Sequence, residues 1–188
     1  MESDEALYLA LKKLNRTGVF LLENVGTEEG TVTELARRIA PVSHEMLYGQ
    51  TFDVVSQTNP RNVAYTAEGL RLHMDLAYYE SPPALVALLH CVEFDEKVEG
   101  GESKFLDAFA AADHFRTHFP DMFEVLTRVP TTFHNVRAAA PPVEGEHRNM
   151  ESLGMASMEY QRPLFQVDAN GDILGVTWSP MFEGVLTC

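Results

Sequence analysis

Residues 70–80 read LRLHMDLAYYE. Two polar side chains, His73 and Asp75, stand two apart in a run that is otherwise largely apolar and aromatic. On a strand, residues i and i+2 project from one face. A strand here would present His73 and Asp75 together and turn Met74 away. An imidazole and a carboxylate on one face suit a divalent first-row metal. Two histidines and a carboxylate make the facial triad of non-haem Fe(II) oxygenases, which leaves positions open. The same spacing also fits an ordinary solvated pair.

The chain has 188 residues, enough for one domain with a core. Its net charge is -14, which argues against nucleic acid and anionic membrane as partners, since both are polyanions. No stretch reaches the roughly 20 apolar residues that span a bilayer. The acidic start MESDEALYLA resembles neither a signal peptide nor an Arg-rich transit peptide. The two cysteines, Cys91 and Cys188, are too far apart to form a disulfide framework. A reducing compartment follows, cytoplasmic first and mitochondrial as the alternative. Cys91, in LLHCVE, is expected to be a buried thiol.

Residues 3–18, SDEALYLALKKLNRTG, predict a helix capped by Ser3 and stopped by Gly18. Residues 30–42, GTVTELARRIAPV, carry Thr31 and Glu34 in a capping-box pattern. Two more helices are expected in FAAADHFRTHF (109–119) and PDMFEVLTRV (120–129), the second started by Pro120. Strands are expected in VFLLENV (19–25), at 51–56 and 62–66, in ALVALLHCVEF (84–94), SKFLDAF (103–109) and TTFHNV (131–136). Residues 138–157 read as a loop. The end reads as a hairpin, YQRPLFQVD and ILGVTWSP around ANGD, where Asn170-Gly171 supplies positive φ. Strands and helices do not alternate regularly, so a double-sheet β architecture with flanking helices is expected. GGES lacks the lysine and helix of a phosphate loop and reads as a turn. His114 and His118 have metal-ligand spacing on a helix, but a solvated face is the simpler reading.

The words NVAYT, His-x-Asp, PP, LLHC, EGGES and DAF follow one another between residues 62 and 109. In that order and at those intervals they resemble the γ-butyrobetaine dioxygenase and trimethyllysine dioxygenase family. These are TauD-like Fe(II)- and 2-oxoglutarate-dependent oxygenases. The resemblance extends more weakly from GVFLLENV to TWSP. It implies an α+β, mainly β fold, an incomplete double-stranded β-helix (jelly roll) with flanking helices, over residues 1–188. It implies that His73 and Asp75 are iron ligands and that Tyr48, Phe52, Asn62 and Tyr65 line the substrate pocket. Phe52 stands where the butyrobetaine enzyme has a tryptophan. The implied cosubstrates are 2-oxoglutarate and O2, with ascorbate as an auxiliary reductant. The implied substrate carries a quaternary ammonium, which aromatic faces hold by cation–π attraction, and the implied assembly is a homodimer.

Two family features have no counterpart in this sequence. None of the seven histidines precedes Gly-Arg, so the HGR-like word that carries the second iron histidine is not found, nor the arginine near it that holds 2-oxoglutarate. The family's amino-terminal zinc-binding region is also absent, and the chain reads as the leading part of an oxygenase domain. The expected function is hydroxylation of γ-butyrobetaine to L-carnitine, a step of carnitine biosynthesis. The alternatives are trimethyllysine hydroxylation and a non-catalytic fragment or partner of a full-length oxygenase.

Overall fold

The computed structural model describes residues 3–42, 50–60, 63–82, 86–137 and 156–184. The chain divides into two compact units: Met1–Val54 with Val86–Gly101, and Val55–Leu85 with Glu102–Cys188.

In the first unit, α1 spans Asp4–Thr17. Ser3 Oγ accepts from the Ala6 amide at 3.2 Å, as the sequence predicts. Asp4 and Glu5 lie in the first turn, where the helix dipole favours negative charge. Gly18, at φ 72°, closes the helix in the left-handed region, and its amide donates to the Leu14 carbonyl. Helix α2 spans Thr31–Ile39, but the expected capping box does not form. Gly30 takes the cap position, and the Thr31 hydroxyl instead donates to the Glu28 carbonyl at 2.8 Å. Arg38 Nη2 reaches Asp4 Oδ1 at 2.9 Å and links the two helices.

The runs 19–25 and 86–94 are not strands. An apolar run becomes a strand only where a neighbouring chain segment completes its hydrogen-bond ladder, and none does so here among the described residues. Leu89 is 80% and Phe94 62% exposed. Cys91 is exposed rather than buried. Residues 51–56 also form no strand, and Val63–Tyr65 form one turn of 3-10 helix.

In the second unit, α3 (Ala108–His118) is capped by Asp107, whose Oδ1 accepts from the Ala110 amide at 3.0 Å. The expected strand at 103–109 is therefore replaced by irregular backbone that runs into the helix. Helix α4 (Pro120–Arg128) has Pro120 in its first turn, where no amide is needed. Strand β1 (Thr131–Arg137) pairs antiparallel with β2 (Ala156–Arg162), which sets Phe133 opposite Tyr160 and Thr131 opposite Arg162. Strand β3 (Phe165–Val167) pairs with β4 (Ile173–Val176) in the expected hairpin. The expected single strand YQRPLFQVD is divided at Pro163: residues before it pair with β1, residues after it with β4. Proline has no amide to donate to a ladder.

Phe165 stacks on Phe123 at 4.8 Å and lies 5.7 Å from Phe115, which joins β3 to α4 and α3. The Phe133 side chain is fully buried. Residues 182–184 run along the free edge of β1: the His134 amide donates to the Phe182 carbonyl, and the Gly184 amide to the Thr132 carbonyl.

The expected mainly β jelly roll is not what forms. The described residues hold two open, two-stranded antiparallel sheets and more helix than strand. The arrangement is mixed α+β. No helix among the described residues is long and apolar enough to cross a membrane.

Candidate metal centre

His73 and Asp75 do come together, but not on a strand. Residues 75–78 form a turn. Leu76 sits at φ 58°, a left-handed conformation that a large side chain adopts only when its surroundings enforce it. The enforcement is visible. Leu76, Ala77 and Tyr78 are buried in succession, the Tyr79 amide donates to the Leu76 carbonyl at 3.0 Å, and the Tyr78 ring meets Phe182 edge-on at 5.0 Å.

The residue between the pair is held on both sides of its backbone. The Met74 amide donates to the Trp178 carbonyl at 2.7 Å, and the Met74 carbonyl accepts from Ser179 Oγ at 2.9 Å. Five residues on, Arg162 Nη2 donates to the Tyr79 carbonyl and, at 3.1 Å, to the Glu80 carbonyl. The guanidinium lies 4.5 Å from the centre of the Tyr160 ring. Burial lowers the Arg162 pKa from its ordinary value, with Tyr160 and Glu80 acting in the opposite sense.

His73 Nδ1 lies 2.7 Å from the Arg71 carbonyl. A carbonyl can only accept, so Nδ1 carries the proton. His73 Nε2 then faces Asp75 Oδ1 at 3.4 Å. In the neutral ring, Nε2 is a lone pair directed at a carboxylate, a repulsive contact until a proton or metal cation lies between them. Two adjacent ligand atoms, each about 2.1 Å from an octahedral ion, stand about 3 Å apart. The observed separation is close to that. A carbonyl fixing the far nitrogen of a ligating histidine is also the usual second partner at metal sites. The pair fits a divalent ion. The His73 side chain is 24% exposed and that of Asp75 76%, so the ion would be reached from solvent.

No group of three histidine, cysteine, aspartate or glutamate side chains gathers among the described residues. His134, on β1, is exposed and opposite Glu159. His114 and His118 stack at 4.0 Å on α3. His90 Nε2 is bonded to the Gly26 carbonyl. Of the expected pocket residues, Tyr48 and Asn62 lie outside the described residues. Phe52 is half-buried in the first unit. Tyr65 is half-buried in the second, where its carbonyl accepts from the Gln57 amide at 3.0 Å. Sequence reasoning missed Ser179, Trp178 and Arg162. Ser179 and Trp178 lie in the word TWSP, yet nothing in their local pattern marks them as supports for a distant turn.

Residues 1–180 match the profile of the family described as taurine catabolism dioxygenase TauD, TfdA family. The chain is 32% identical over 190 residues to dioxygenase str8 of Strobilurus tenacellus, covering 99% of this chain and 40% of that protein. It is 34% identical over 179 residues to a gamma-butyrobetaine dioxygenase of Pseudomonas sp. (strain AK-1), covering 90% and 44%. It is 31% identical over 130 residues to a mitochondrial trimethyllysine dioxygenase of Gallus gallus, covering 69% and 30%. The chain thus spans less than half the length of these relatives.

Proposed function

The chain belongs to the TauD, TfdA family of dioxygenases, and from that premise we propose that it binds Fe(II) through His73 and Asp75 and serves 2-oxoglutarate-dependent hydroxylation of a trimethylammonium carboxylate. γ-Butyrobetaine is the first candidate and trimethyllysine the second. The higher identity to the bacterial gamma-butyrobetaine enzyme supports that order. Fe(II) with 2-oxoglutarate supplies the oxidation: O2 and 2-oxoglutarate are consumed, succinate and CO2 leave, and one C–H bond becomes C–OH.

The chain's own residues bind and orient. His73 offers Nε2 and Asp75 a carboxylate oxygen. The Arg71 carbonyl keeps the His73 proton on Nδ1, away from the ion. Tyr48, Phe52, Asn62 and Tyr65 are the substrate-binding residues that the family resemblance implies in this reading. A quaternary ammonium has no hydrogen to donate, so Tyr and Phe faces hold it through cation–π attraction. The observation that carries the proposal is the His73 ring, fixed at Nδ1 and turned with Nε2 toward Asp75. A second reading, a metal-binding partner of a full-length oxygenase without turnover of its own, is favoured by the lack of a third ligand among the described residues.

The test is anaerobic addition of Fe(II) and 2-oxoglutarate to the full chain. The expected result is a visible charge-transfer band that His73→Ala abolishes, followed by succinate formation with γ-butyrobetaine in air. A band without succinate supports the second reading. No band from folded protein overturns the hydroxylase reading, and no retained Fe(II) overturns both.

A further inference from the structure

We infer that Ser179 and Arg162 are positioning residues that hold the His73–Asp75 pair in register for a divalent ion; this rests on the iron-binding reading above. The pair belongs to no helix or strand, so no regular backbone fixes its spacing. What fixes it is two clamps, one on each side of a left-handed leucine. The first is at Met74, between the two ligands. Its amide and carbonyl are both taken by residues 178–179, so the peptide planes that carry His73 and Asp75 cannot rotate independently. Ser179 is 1% exposed, and water does not readily replace its hydroxyl. The second clamp is Arg162, whose Nη2 donates to both the Tyr79 and Glu80 carbonyls and closes the turn from its far end. Arg162 ends β2, and residues 182–184 border β1. The pair is therefore tied to the β1–β2 sheet through both clamps. Neither residue touches the ion. Both act through the backbone of the turn that carries the ligands.

The probe is Mn(II), titrated into the full-length chain and followed by the magnetic resonance signal of the free ion. Ser179→Ala is expected to weaken binding about tenfold to a hundredfold, and Ser179→Thr, which keeps the hydroxyl, to restore it. Phe123→Leu, a packing change in the α4–β3 contact, serves as the control for lost stability and is expected to bind as the wild type does. Unchanged affinity in Ser179→Ala overturns the inference, as does equal weakening in the control. If Ser179→Ala does not fold, Arg162→Met decides in the same way, since it keeps an unbranched stem and loses the Nη2 donor to both carbonyls. A wild-type chain that takes up no Mn(II) overturns the iron reading itself, which is a different result from metal binding indifferent to the clamps.

Discussion

Ser179 Oγ donates to the Met74 carbonyl at 2.9 Å across 105 residues of sequence. That bond lies between the two candidate metal ligands in the chain, so it couples local stability to site geometry. Ser179→Ala leaves the carbonyl without its donor, and a loss of about 1 kcal/mol is expected. Urea unfolding checks it, as a lower midpoint at unchanged slope.

Leu76 offers a test of the turn conformation. It is 8% exposed and sits at φ 58°. Truncation to alanine removes a buried side chain, at about 2–5 kcal/mol. Glycine removes the same side chain but adopts positive φ without steric cost, a relief of about 1 kcal/mol. Leu76→Gly is therefore expected to be more stable than Leu76→Ala, the reverse of the order in an ordinary helix or strand. Thermal unfolding of the two variants side by side decides it.

Asp168 governs a pH effect in the β3–β4 turn. The backbone amide of Asp172, together with those of Asn170 and Gly171 and the Asn170 side chain, holds its carboxyl below its ordinary 3.8. The group is exposed, so the effect is small. A lowered folded value means that the unfolded chain takes up the proton first as pH falls. The stabilisation is present above 3.8 and fades as pH drops through the folded value. Asp168→Asn is expected to flatten the stability profile below that pH and leave neutral pH behaviour with a constant offset. Unfolding midpoints collected from pH 2 to 6 on wild type and variant provide the check, and identical slopes would refute it.

Phe123 is buried and stacked on Phe165. Phe123→Ala is expected to cost about 3–5 kcal/mol, measured by chemical denaturation. The milder leucine variant, which keeps most of the volume, should lose less than half of that.

The local signals were legible where a short segment determines its own outcome. Ser3 and Gly18 bound α1, Pro120 starts α4, and Gly171, at φ 86°, turns the final hairpin, because each acts through bonds or steric limits within a few residues; Asn170, expected to share the positive φ, does not adopt it. The family was legible too, since NVAYT, His-x-Asp and EGGES are read without knowing how they pack. The strands at 19–25 and 84–94 were misread for the complementary reason. Their apolar runs satisfy a strand pattern, but a strand exists only with a partner, and partners are chosen by the whole chain.

The candidate site divides along the same line. The sequence by itself determined which atoms can bind a metal: an imidazole and a carboxylate two residues apart in an apolar surround. Only the tertiary structure decided how they meet. A strand would have aligned His73 and Asp75 by its pleat. Instead Trp178 and Ser179 hold Met74, Arg162 closes the turn, and Leu76 is held at positive φ. Hydrogen bonds from residues more than eighty positions away set that conformation, and no periodicity within residues 70–80 can encode contacts whose other half lies elsewhere in the chain.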